Sequence, residues 1–125
     1  MKLLLDTSVI IDFLRRKDKE NSLHYRWSKE MYSISIVTHT ELYAGKSIWE
    51  NNENKQALED VLDGIVVLAL DAKISQAAGK IKAYHHSSSL VDAIIAATAI
   101  VHNLELVTLN VKDFERIEGV KLLSQ

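Results

Sequence analysis

Four acidic residues stand where a protein would put them to handle a cation: Asp6 in "LLLDTSV", Glu41 in "VTHTEL", Asp92 in "SSSLVDAIIAATAI" and Asp113 in "VTLNVKDF". Asp92 poses the sharpest question, because from Leu90 to Val101 it and Thr98 are the only polar residues. A helix apolar nearly all round belongs in a core, and a carboxylate one turn into it needs a partner. The chain has no cysteine, so thiolate zinc sites, disulfides and a cysteine nucleophile are excluded. Ligands that are all oxygen suit hard ions, Mg²⁺ or Mn²⁺. Such ions, held by shared carboxylates, activate water and steady the attacking and leaving oxygens of a phosphodiester.

Each acid also has a plainer explanation. Asp6 can cap a helix starting near Thr7 or Ser8, and Thr38 with Glu41 and Ser89 with Asp92 both have the spacing of a capping box. Asp71 has the same kind of position and is read only as a cap, and Asp113 alone is a loop aspartate. Asp12, four residues before Arg16, reads as a solvated helix pair. Capping does not require the acids to converge. Two carboxylates ~4 Å apart repel by about 4 kcal/mol at an effective dielectric near 20, several times the ~1 kcal/mol of a cap. A converging set therefore needs a cation or a raised pKa.

The elements around these residues decide whether they can meet. "KLLLD" reads as a short buried strand and "SVIIDFLRR" as the helix after it. Residues 22–31 read as a helix, "YSISIV" as a β-branched strand, residues 38–49 as a helix and 51–62 as a polar helix. "IVVLAL" is the third strand, and Asp71 caps a helix through Tyr84. The apolar helix of residues 90–101 is followed by "LELVTL" as a strand, a turn through "NVKDF", and "VKLL" as an edge strand. Strands alternating with helices predict a parallel α/β sheet covered on both faces. In such a sheet the strand-to-helix junctions share one edge, where polar residues far apart in sequence become neighbours. That same edge also gathers ordinary caps.

Composition narrows the class. A chain of 125 residues, 47% hydrophobic and 26% charged, fits one globular domain spanning 1–125. No run approaches the ~18 apolar residues of a membrane span, and the early acid in "MKLLLDTSV" does not suit a signal peptide, so the expectation is a cytoplasmic protein. A formal charge of −2 argues against a basic nucleic-acid coat, leaving any such contact local or metal-assisted. Five histidines form no HExxH. "HTE" lacks the cysteines of a zinc deaminase, and no phosphate-cradling glycine motif occurs. His85 and His86 read as a solvated helix end.

"LLDTSVIIDFL", "TELYAG", "VDAIIAATAI" and "LVTLNVKDF", in that order and spacing, resemble the motifs of PIN-domain ribonucleases, and most closely the VapC-like toxins of toxin-antitoxin pairs. The resemblance covers essentially the whole chain. It implies a PIN-like parallel sheet of about five strands flanked by helices on both faces, and metal-binding roles for Asp6, Glu41, Asp92 and Asp113. Asn110 stands in the same turn as Asp113, which leaves open which of the two faces the metal. Thr7, Ser8 and Thr108 correspond to hydroxyl positions that orient carboxylates or waters. The resemblance further implies a Mg²⁺- or Mn²⁺-dependent endoribonuclease acting on single-stranded or looped RNA, a homodimer, and a cognate antitoxin whose segment reaches into the acidic cleft.

Trp27, Tyr32, Tyr43 and Trp49 are candidates for that partner's groove, with core packing the alternative. Among cations, residues 15–19 and Lys46 are candidates for phosphate contacts. Two other readings compete: a PIN-like scaffold that binds RNA or protein without cutting, and a phosphohydrolase or phospho-acceptor domain. The latter is disfavoured by Ser8, where a haloacid-dehalogenase-like site needs a second aspartate.

Overall fold

A computed structural model of the chain describes residues 2–26 and 31–123. Its five strands are β1 (Lys2–Leu5), β2 (Met31–Ser35), β3 (Val66–Leu68), β4 (Glu105–Val107) and β5 (Lys121–Leu122), in the order β3-β2-β1-β4-β5. Every neighbouring pair is parallel, as the alternation of strands with helices predicts. From β1 the chain builds outward through β2 and β3, then returns to add β4 and β5 on the other side. The reversal falls between β1 and β4, and open α/β sheets place their ligands beyond the carboxyl ends of the strands at such a switch point.

The helices are α1 (Thr7–Arg15), α2 (Leu23–Arg26), α3 (Ile36–Leu42), α4 (Lys46–Glu50), α5 (Asn52–Leu62), α6 (Ala72–Tyr84), α7 (Leu90–Val101) and α8 (Val111–Phe114). They cover both faces of the sheet. Alternate side chains of β1 divide between two cores: Leu4 packs with Ile74, Ala96 and Leu106 under α6 and α7, whereas Leu3 and Leu5 pack with Val9, Ile34 and Leu58 under α1 and α5. Helix α7 is buried along Ala93 and from Ile95 to Ala99, which accounts for its lack of a polar face. Its end is closed by Asn103, at φ 54°, and by the Leu104 N–H donating to the Ala99 carbonyl at 2.8 Å, a left-handed stop that turns the chain into β4.

Several boundaries differ from the sequence expectation. Ile36 and Val37 extend no strand: the Ser35 hydroxyl accepts from the Val37 N–H at 3.1 Å and starts α3 there, so the cap overrides β-branched propensity. The helix expected over residues 38–49 is two helices, α3 and α4, divided before Gly45, the N-cap of α4. Residues 22–31 hold the short α2 after a 3₁₀ turn (Lys19–Asn21), with 27–30 outside the described residues. The "NVKDF" turn contains the single-turn helix α8. Asp71 caps α6 through the Ile74 N–H at 2.9 Å, and Arg16 pairs with Asp12 at 3.0 Å, both as expected.

Candidate active site

Asp6 follows the last residue of β1 and is the N-cap of α1, its Oδ1 accepting from the Thr7 N–H at 2.9 Å. It is 4% exposed, and a carboxylate so buried must be hydrogen-bonded. Its Oδ2 accepts from two hydroxyls, Ser8 at 2.8 Å and Thr108 at 2.7 Å. Each hydroxyl in turn accepts a backbone N–H from the loop after β4: Leu109 to Ser8 at 3.2 Å and Asn110 to Thr108 at 2.9 Å. The Asp6 N–H donates to the Val107 carbonyl at 2.9 Å. The two strand ends at the switch point are thereby locked around one carboxylate.

Glu41 is joined to this network through Thr7. The Thr7 hydroxyl lies 2.6 Å from Glu41 Oε1 and 3.1 Å from Thr38 Oγ1, so one residue gives its N–H to Asp6 and its hydroxyl to Glu41. The capping-box reading of Thr38 and Glu41 is wrong here. Ser35 is the cap, which places Thr38 in the buried first turn and Glu41 in the last turn of α3. Freed from a capping role, Glu41 is exposed at the site edge.

Asp92 sits in the first turn of α7, where Ser89 caps the helix by accepting from the Asp92 N–H at 3.0 Å. Its carboxyl is held above the usual aspartate range, chiefly by burial and then by the charge of Asp6. Asp113 and Glu41 push in the same direction, and a hydrogen bond from Ser89 opposes them. The three charges acting on Asp92 are the other three acids singled out from the sequence. They come from the end of β1, from α3 and from α8, so the four act on one another electrostatically. Asp71, on the same class of junction, is absent from that set. Among the described residues the ion pairs are those of Arg16 with Asp12 and Asp18, and none neutralises the four.

Asp113 and Asp92 line one polar cleft of about 420 Å³, together with His85, Lys112 and Arg116. Asn110 joins the site by its backbone, at the N-cap of α8, with no side-chain capping bond. His85 is the helix end expected, the C-cap of α6, and it also lines the cleft of Asp92 and Asp113. Sequence reasoning missed His85, Lys112 and Arg116. The available signal was two cations four residues apart, flanking Asp113 just beyond a strand end.

The donor chemistry, carboxylate oxygens with hydroxyl support, fits Mg²⁺ or Mn²⁺. Among the described residues no three His, Asp or Glu side chains are gathered as ligands of one ion. The fit rests on that donor set: the Asp6 carboxylate held by Ser8 and Thr108, with Glu41 joined to it through Thr7.

The aromatic and basic candidates divide. Tyr32 is 8% exposed and gives its hydroxyl to the His24 carbonyl, so it is a core residue. Trp49 is 63% exposed, its Nε1 donating to the Tyr43 carbonyl at 2.8 Å and its ring beside Tyr43. Trp27 lies outside the described residues. Arg16 is held by Asp12 and Asp18, and Lys19 closes the end of α1 by donating to the Phe13, Leu14 and Arg16 carbonyls. Those two cations of the 15–19 run serve local structure. Lys46 is the exposed first residue of α4.

A family profile described as "PIN domain" matches residues 3–120. Ribonuclease VapC1 of Rickettsia felis is 35% identical, covering 99% of this chain and 96% of that protein. The structure is similar to a toxin-antitoxin complex from Klebsiella pneumoniae (TM-score 0.74, 30% identity, 94% of each chain). It is also similar to DNA-bound VapBC from Salmonella typhimurium (TM-score 0.81, 25% identity, 98% of this chain and 97% of that one). Among the described residues no helix is long and apolar enough to cross a membrane.

Proposed function

Because the chain belongs to the PIN domain family, we propose that it is an endoribonuclease, the toxin of a toxin-antitoxin pair, cutting single-stranded or looped RNA with Mg²⁺ or Mn²⁺. The observation that carries this reading is the buried Asp6 carboxylate at the switch point, held by the Ser8 and Thr108 hydroxyls and linked through Thr7 to Glu41, in a chain whose PIN profile spans residues 3–120. Acids converging near a switch point without a cationic partner would be costly for folding alone and useful for holding a dication.

Asp6, Glu41 and Asp92 would hold the ion, with Asp113 in support. When bound, it supplies a Lewis acid that activates water and offsets charge on the phosphate. The protein's own part is to fix the oxygens in advance. The Ser8 and Thr108 hydroxyls and the Thr7 N–H leave the Asp6 carboxylate little rotational freedom, and the Thr7 hydroxyl steadies Glu41. Such outer partners tune a metal site about as strongly as its ligands do.

An antitoxin segment has a suitable approach. A trough of about 380 Å³ runs between α1, α3, α4 and α5, lined by Ile11, Leu14, Leu42 and Ile48, with Arg15 and Glu41 beside them. A chain lying in it meets Glu41. The active toxin is read as a homodimer acting in the cytoplasm.

The reading is tested by incubating the purified chain with total RNA, with and without Mn²⁺, and mapping the cut ends. Cleavage at discrete positions that requires the ion, and is lost in Asp92→Asn, is the expected result. Equal cleavage by Asp92→Asn, or no Mn²⁺-dependent product at all, contradicts it.

A further inference from the structure

Four carboxylates attract a cation but repel the polyanion they are to cut, so an RNA strand needs positive charge close by to dock. Most basic side chains with a defined contact are already engaged elsewhere. Arg16 and Lys19 serve α1, Lys82 donates to the His86 and Ser88 carbonyls, and Lys121 bonds Asn103. Lys112 and Arg116 differ: both line the cleft of Asp92 and Asp113. Among the described residues neither is paired with an acid, even though Glu115 lines the same cleft.

Their spacing suits a strand. Lys112 lies in α8, and Glu115 continues its helical turn, with its N–H donating to the Val111 carbonyl at 2.9 Å. Arg116 follows Glu115, the C-cap of α8, in the turn just beyond the helix, and it lines the same cleft as Lys112. Both side chains are exposed and long enough to follow a flexible backbone, and arginine's fork matches a phosphate bidentately. Asp113, between them in sequence, ties this face to the acids.

Resting on the ribonuclease reading above, we infer that Lys112 and Arg116 are the substrate's phosphate clamp, holding RNA phosphates next to the scissile one so that the strand runs along the α8 wall of the cleft. Arg16 and Lys19, committed to the end of α1, then contribute little to substrate binding. The two clamp residues bind substrate ground state and transition state alike, so their loss falls on KM more than on kcat.

The test uses the full chain with Mn²⁺ and a synthetic RNA oligonucleotide spanning a cut site mapped from total RNA. Lys112→Gln and Arg116→Gln should each raise KM roughly tenfold. Each should also lower the slope of log affinity against log salt by about 0.7, the value for one single-strand phosphate contact. Arg116→Lys should recover the salt slope and part of the KM. Arg16→Gln, as the comparison, should leave both near the parent's values. Parent-like KM and salt slope in both glutamine variants, with the parent cleaving normally, overturn the clamp and leave the nuclease reading standing. Failure of the parent itself to cleave overturns both.

Discussion

Replacing Thr108 by valine removes one hydroxyl and keeps the side chain's shape, which makes it a clean probe of the lock around Asp6. In the native fold that hydroxyl donates to Asp6 Oδ2 at 2.7 Å and accepts the Asn110 N–H at 2.9 Å, beneath a surface that leaves Thr108 2% and Asp6 4% exposed. A hydrogen bond to a charged group is worth about 1.5–3 kcal/mol. The Asn110 N–H belongs to an exposed residue and regains water, so its loss adds little. The expected cost of Thr108→Val is therefore about 2 kcal/mol, a sizeable part of the roughly 5–15 kcal/mol that holds a domain together. Urea unfolding at neutral pH without divalent ions should show the midpoint falling with an unchanged slope.

Ser8→Ala removes the other donor to the same oxygen. Each single variant leaves Oδ2 one hydroxyl, whereas the double variant leaves it none. The double loss should exceed the sum of the singles by about 1 kcal/mol. A Thr108→Val protein within about 0.5 kcal/mol of the parent, or strictly additive losses, would refute the reasoning.

Three further outcomes follow from the same geometry. Asp92 has a native pKa above its unfolded one, through burial first and Asp6 next. Its contribution to stability is thus whole below the ordinary aspartate range and lost as pH rises through the raised value. In chelator, Asp92→Asn should accordingly be more stable than the parent at pH 7, with the gain vanishing near pH 3; a gain that persists at low pH would contradict it. Thr7→Val breaks the link to Glu41 while leaving the Asp6 cap in place. RNA cleavage should fall at least tenfold with a stability loss of no more than about 2 kcal/mol, measured on one preparation. Leu106→Ala, in the fully buried core beneath α7, should cost about 2–5 kcal/mol by urea unfolding, a purely structural loss to set beside these.

The sheet was legible because its evidence is local and repeated. "KLLL", with Leu3 and Leu5 on one face and Leu4 on the other, is a strand buried on both sides, and strands separated by helices have few arrangements open to them. The positions of Asp6 and Asp92, at a strand end and a helix start, were legible for a related reason, since such junctions share an edge. Glu41 was read in the wrong local role. The Ser35 cap starts α3 two residues before the β-branched run ends, and Ser35 and Thr38 are equally good caps by type. Tyr32 illustrates a limit of composition: an aromatic suits a groove or a core, and only packing against His24 decides. Lys112, Arg116 and His85 were missed because cations and a helix-end histidine are ordinary surface residues until α6, α7 and α8 are brought around one cleft. The Ser8 and Thr108 hydroxyls converging on one oxygen span 102 residues for the longer link, a pairing no local pattern encodes.

The most direct measurement is Mn²⁺ binding to the apo chain by calorimetry, with single amide variants at Glu41, Asp92 and Asp113 and at Asp71 as the control. Pooling of charge at one site predicts saturable binding that weakens at least tenfold in Glu41→Gln, Asp92→Asn and Asp113→Asn, and is unchanged in Asp71→Asn, whose acid only caps α6. Absence of saturable binding in the parent, or a loss in Asp71→Asn as large as in Asp92→Asn, would contradict a shared metal centre.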